Sequence, residues 1–121
     1  MTSSKNDSVL MAKTMMKCMD EAMEIPQLNT PAKIYLFLYI ALNEGLTGSE
    51  IIKKTGMGPA LVYRSIEGIY EGTNRKGAVG AGLVVQKDSP DNKLSNCLYL
   101  TKSGKLLLEK LGSVFRETID K

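Results

Sequence analysis

Two glycines, Gly56 and Gly58, close around Met57 between two short segments of helical spacing, and this turn fixes the geometry around it. Before it, Thr47 and Glu50 stand three apart, the arrangement in which each side chain bonds the other's backbone N–H at a helix start. Ile51 and Ile52 then face inward, while Lys53 and Lys54 face out. Pro59 opens a second helix whose buried side is Val62, Ile66 and Ile69. Residues 83–87 and 98–101 have strand character, and Asp88-Ser89-Pro90-Asp91-Asn92-Lys93 between them is turn chemistry throughout. Lys102-Ser103-Gly104 begins another helix. A helix pair at a fixed angle followed by a hairpin is a winged helix-turn-helix, here over residues 46–105. It offers one protruding helix to a major groove and a hairpin loop to the neighbouring backbone.

The expected class is therefore mostly α with a small β-hairpin, a winged helix-turn-helix with N- and C-terminal flanking helices. At 121 residues the chain is one domain with enough length for a core. Its expected parts are a frayed tail over 1–7, an N-terminal helix over 8–25, the winged unit over 30–101 and a C-terminal helix over 102–120. Thr30 caps and Pro31 starts a helix through about Asn43 that is apolar on almost every side, so it is expected at the centre of the core, closed by Gly45.

The N-terminal helix carries one polar stripe, Lys13, Lys17, Asp20 and Glu24, at spacings of four, three and four. Nearly everything else on it is apolar, and five of the chain's seven methionines fall there. That face is too wide for one neighbouring helix, and methionine adapts to irregular partners. Core packing and a subunit interface are the two readings. The second assigns Met11, Met15, Met16, Met19 and Met23, with Leu107 and Leu111 of the last helix, to a dimer interface.

Composition narrows the chemistry. The chain has no histidine, so no imidazole serves as general base, triad member or metal ligand. Cys18 and Cys97 lie far apart without a CxxC or Cys/His grouping, which argues against a disulfide framework and a zinc site. No paired acids recur. Neither enzymatic activity, nor a cofactor, nor a bound metal is expected. The longest apolar run, residues 34–42, is too short to span a bilayer, and the first residues lack a signal-peptide layout. A cytoplasmic protein without membrane association is the expectation.

Net charge is only +3, but it is unevenly spread. Residues 53–105 hold nine basic groups against four acidic ones, while residues 1–52 hold four against six. The positive excess coincides with the winged unit, as a phosphate-contacting surface requires. Within it, residues 72–82 are glycine-rich with Arg75 and Lys76 near the middle, and miss the spacings of nucleotide-binding loops. This composition suits a flexible connector, or a loop laying its basic pair on a phosphate backbone.

At this point the chain resembles the MarR family of winged-helix transcription regulators. The likeness rests on Leu46-Thr47, Ser49-Glu50, Val62 and Arg64, on Asp88, Asp91 and Lys93 in the wing, and on Leu100-Thr101 with Gly104. It covers roughly half the chain. The resemblance implies a homodimer joined by N- and C-terminal helices, with two recognition helices addressing a pseudo-palindrome. Some members sense oxidants through an N-terminal cysteine. Cys18 has Lys17 beside it, but its apolar surroundings predict an inert buried thiol.

The first functional reading is a dimeric, sequence-specific regulator of transcription on double-stranded DNA. Tyr63 and Arg64 would reach base edges, with Ala60 and Leu61 against thymine methyls. Lys53, Lys54, Arg75, Lys76, Lys87 and Lys93 would hold the backbone. For Arg64 the alternative is an ion pair with Glu67, three residues on. The second reading is a protein-binding winged helix, an adaptor or inhibitor of a transcription or replication machine. It draws on the single cation, Arg64, between Pro59 and Tyr70.

Overall fold

The computed structural model describes residues 4–73, 77–88 and 96–120. Among them the elements run α1 (Ser4–Ala22), α2 (Pro31–Leu42), α3 (Gly48–Thr55), α4 (Pro59–Ile69), β1 (Val84–Asp88), β2 (Asn96–Leu100) and α5 (Lys102–Ile119). This is a winged helix-turn-helix with a flanking helix at each end. No described helix is long and apolar enough to cross a membrane.

Local chemistry sets the helix starts. Thr30 accepts from the backbone N–H of Lys33 at 3.3 Å, and Pro31 fills the first turn of α2, where a missing donor costs nothing. Both bonds of the capping box form at α3. The Thr47 N–H donates to Glu50 Oε1 at 2.9 Å, and the Glu50 N–H donates to Thr47 Oγ1 at 3.1 Å. Gly56, at φ 74, ends α3 in the left-handed conformation, and Met57 turns in against the core. Pro59 opens α4 as expected.

The wing is an antiparallel pair with Val84 opposite Leu100 and Asp88 opposite Asn96. A short extension precedes α3. The Gly45 N–H donates to the Leu98 carbonyl at 2.8 Å, the Leu98 N–H to the Leu46 carbonyl at 2.9 Å, and Thr47 bridges Cys97. The chain thus enters the helix-turn-helix along the free edge of β2, a pairing that so short a segment does not announce in its pattern. The core gathers Leu36, Phe37 and Ile40 of α2, Ile51 of α3, Val62, Ile66 and Ile69 of α4, the inner residues of the wing, and Leu107 and Leu111 of α5. α5 packs along α1, so the first and last helices join within one chain.

Several expectations need correction. α1 begins at Ser4, so residues 4–7 are helical rather than frayed; Asp7 in the first turn favours the positive end of the helix dipole. It ends at Ala22, short of residue 25. α2 is buried along one side only: Tyr35, Leu38 and Leu42 are exposed, Leu42 at 82%. α2 ends at Leu42, and Gly45, at φ 101, lies beyond its cap.

The glycine-rich segment is not a loose connector at its ends. Ala81 N–H donates to the Gly68 carbonyl at 2.9 Å, and Gly82 and Leu83 donate to Tyr70 and Ile69 at 3.0 Å. Thr73 bridges Val79, and the Gln27 side chain donates to the Val79 carbonyl at 3.3 Å. Gly80 makes this possible, since a Cβ there would stand 2.0 Å from the Tyr70 carbonyl oxygen. The strands β1 and β2 each sit within two residues of the expected spans, and α5 reaches Ile119.

Candidate nucleic-acid interface

α4 buries Val62, Ser65, Ile66 and Ile69, and its other side is exposed. Ala60, Leu61, Tyr63 and Arg64, the expected base-reading residues, all lie on that exposed side with Glu67. They are not equivalent there. Tyr63 leans toward α3, with its ring over Gly48, where an added Cβ would meet Tyr63 Cε1 at 2.7 Å. Arg64 borders a shallow cleft of about 380 Å³ shared with Lys33, Glu67, Gly68 and Val79. The expected alternative for Arg64, an ion pair with Glu67, is absent; among the described residues the one ion pair joins Lys110 to Glu21 at 2.9 Å.

Lys53 and Lys54 are exposed in the last turn of α3. Glu50 lies at the other end of that helix. The Thr47 backbone N–H bonded to its carboxylate, and then the Thr47 side chain, hold the Glu50 carboxyl below the usual range, with smaller help from Lys54 and Lys53. Lys87 is exposed on β1 near the loop end of the hairpin, its Nζ 5.2 Å from the centroid of the Tyr99 ring, a cation–π distance that steadies the side chain. Arg75, Lys76 and Lys93 fall outside the described residues.

Sequence reasoning missed Lys33. Its stem crosses Gly68 of α4, where a Cβ would stand 2.7 Å from Lys33 Cε, and its Nζ donates to Asn29 Oδ1 at 2.9 Å. The residue sits on α2, far from α4 in sequence, and only packing brings its charge beside Arg64. Buried Ser65 was missed as well, because a polar serine directly after Arg64 reads as surface.

Of the expected interface residues, Met11, Met15 and Met16 are exposed on α1, Met23 is exposed in the turn just past its end, and Met19 is half-buried. Leu107 and Leu111 are different. They are 7% and 9% exposed and already covered within the chain, so the apolar surface of α5 passes to Leu106, Leu108, Phe115 and Ile119. An apolar groove of about 360 Å³ runs between α1 and α2 past Met15, Cys18, Ile34, Tyr35 and Leu38. Cys18 is half-buried at its edge, with Sγ donating to the Leu111 carbonyl at 3.9 Å. Burial raises its pKa, which keeps the thiol protonated and weakly nucleophilic.

The sequence matches no protein-family model and no curated protein. Solved structures do share the architecture. A S. aureus MepR mutant bound to an oligodeoxyribonucleotide superposes with a TM-score of 0.72 at 19% identity, over 99% of this chain and 80% of that one. MarR from E. coli, in its apo form, gives 0.60 at 16% identity over 95% and 77%. The transcriptional repressor CouR, bound to a 23-mer DNA duplex, gives 0.55 at 20% identity over 93% and 72%.

Proposed function

We propose that this chain, which has the MarR-type winged-helix fold, is a sequence-specific regulator of transcription that binds double-stranded DNA as a homodimer. One observation carries the reading. The exposed side of α4 collects Ala60, Leu61, Tyr63 and Arg64, while Val62, Ser65, Ile66 and Ile69 anchor it, so the helix projects four chemically varied side chains from a rigid seat. Arg64 reads guanine, and the small apolar groups meet thymine methyls. Lys53, Lys54 and Lys87 hold phosphates, and Arg75, Lys76 and Lys93 are assigned the same role from sequence alone. The DNA-bound MepR and CouR structures support this reading by fold, and the exposed methionines of α1 support a second copy.

A protein-binding role is favoured by one feature, the single cation on α4. Titrating binding of random duplex DNA against salt decides between them. Phosphate neutralisation makes log affinity fall linearly with log salt. A protein that binds no duplex even at low salt is an adaptor instead.

A further inference from the structure

Lys33 stands in the part of the chain where acidic groups outnumber basic ones, yet packing sets it against α4. Its stem lies over Gly68, where a Cβ would stand 2.7 Å from Cε, 3.1 Å from Cδ and 3.2 Å from Nζ, so bare backbone seats the whole end of the side chain. Asn29 Oδ1 accepts from Nζ at 2.9 Å. That partner is neutral, and among the described residues no carboxylate pairs with Nζ. The ammonium keeps its full charge, with further N–H groups to give.

The cleft of about 380 Å³ around this ammonium comes from separate stretches of chain. Gln27 and Asn29 precede α2, Arg64 and Glu67 belong to α4, and Val79 to the glycine-rich segment. Gln27 fastens that segment by donating to the Val79 carbonyl at 3.3 Å. We propose that this cleft is an oxyanion site taking one phosphate group on Lys33, and that the phosphate is one of the DNA backbone, next to the bases addressed from α4. The proposal rests on the DNA-binding reading above and adds a backbone contact from α2.

Charge, seating and position support it. Lys33 and Arg64 bring positive charge to the cleft against the single carboxylate of Glu67, and neither cation pairs with it. A concave place with a positive excess concentrates anions. Lys33 is half-buried, so part of its rotamer freedom is lost before an anion arrives, and gripping one costs less than it does for a loose surface lysine. Arg64 borders the cleft and also stands on the exposed side of α4, so an anion held at Lys33 lies beside the base contact.

Salt titration of duplex binding by the full chain tests the assignment. Lys33→Met keeps an unbranched stem over Gly68 and removes the charge. It should lower the salt slope by about one, weaken random and specific duplexes alike, and leave the melting temperature of the free protein unchanged. Glu67→Gln, at an exposed position, should do the opposite and tighten every duplex. Should Lys33→Met melt lower, Lys33→Arg and Glu67→Gln carry the comparison: the first should hold the wild-type slope, and the second should still tighten binding. Affinity and slope indifferent to the loss of either charge overturn the site while leaving DNA binding in place. A wild type that binds no duplex removes the DNA reading itself, and inorganic phosphate then decides the cleft. A rise in melting temperature over sodium chloride of equal ionic strength, lost in Lys33→Met, keeps the oxyanion site with a free anion as its source. No such rise removes it.

Discussion

The ring of Tyr63 packs against Gly48, so the first turn of α3 and the second turn of α4 meet where an aromatic side chain touches bare backbone. The contact fixes where the α4 surface sits relative to the positive end of α3. Gly48→Ala should push the ring aside, because an added Cβ would come within 2.7 Å of Cε1. A side-chain ring can yield, so stability should change by less than ~1 kcal/mol. DNA affinity should fall by up to roughly tenfold. In a Tyr63→Ala background the same substitution should have no further effect on affinity, which a double-mutant cycle measures.

Arg64→Ala should weaken binding to a specific site by ~1–3 kcal/mol, the worth of a bidentate guanine contact. Thermal stability should hardly move, since Arg64 is exposed and makes no ion pair among the described residues. Unchanged affinity would place base reading elsewhere on α4.

Replacing Lys53 and Lys54 together with Ala should weaken binding to all duplexes alike and lower the salt slope by about one to two. Both side chains sit exposed in the last turn of α3, away from the α4 residues to which base reading is assigned. A changed base preference with an unchanged slope would contradict a phosphate role.

Two glycines of α5 should respond oppositely to alanine. At Gly104 a Cβ would stand 2.2 Å from the Leu83 carbonyl oxygen, a backbone atom held in the wing, so Gly104→Ala should destabilise by ~1–3 kcal/mol. At Gly112 nothing lies within 4 Å, and Gly112→Ala should stabilise by ~0.5–1 kcal/mol through helix propensity. Denaturant midpoints of the two variants should bracket the wild type.

Glu50 gives a pH dependence of defined sign. Its carboxyl is held below the usual range when folded, so ionisation favours the native state above the unfolded value and ceases to do so as pH falls through the folded one. Glu50→Gln keeps an acceptor for the Thr47 N–H but loses the charge. The variant should melt lower than the wild type at neutral pH, with the difference vanishing on acidification. A constant difference across that range would assign the effect to shape rather than ionisation.

The sequence by itself determined the helix starts, the turn and the wing, because each is decided within a few residues. Thr47 and Glu50 satisfy one another's backbone, Pro31 and Pro59 suit a helix's first turn and not its interior, and Gly56 takes a conformation that side chains resist. It also placed Ala60, Leu61, Tyr63 and Arg64 on one exposed side, since period alone separates them from Val62, Ile66 and Ile69. Period states the direction in which a side chain leaves its helix and says nothing of whether another element waits there. Only the tertiary structure could therefore show Leu107 and Leu111 covered within the chain, Leu42 uncovered, and Lys33 beside Arg64. The same holds for the glycines: Gly80 and Gly104 are fixed by carbonyls of Tyr70 and Leu83, distant in sequence, which reach van der Waals range only when the core closes.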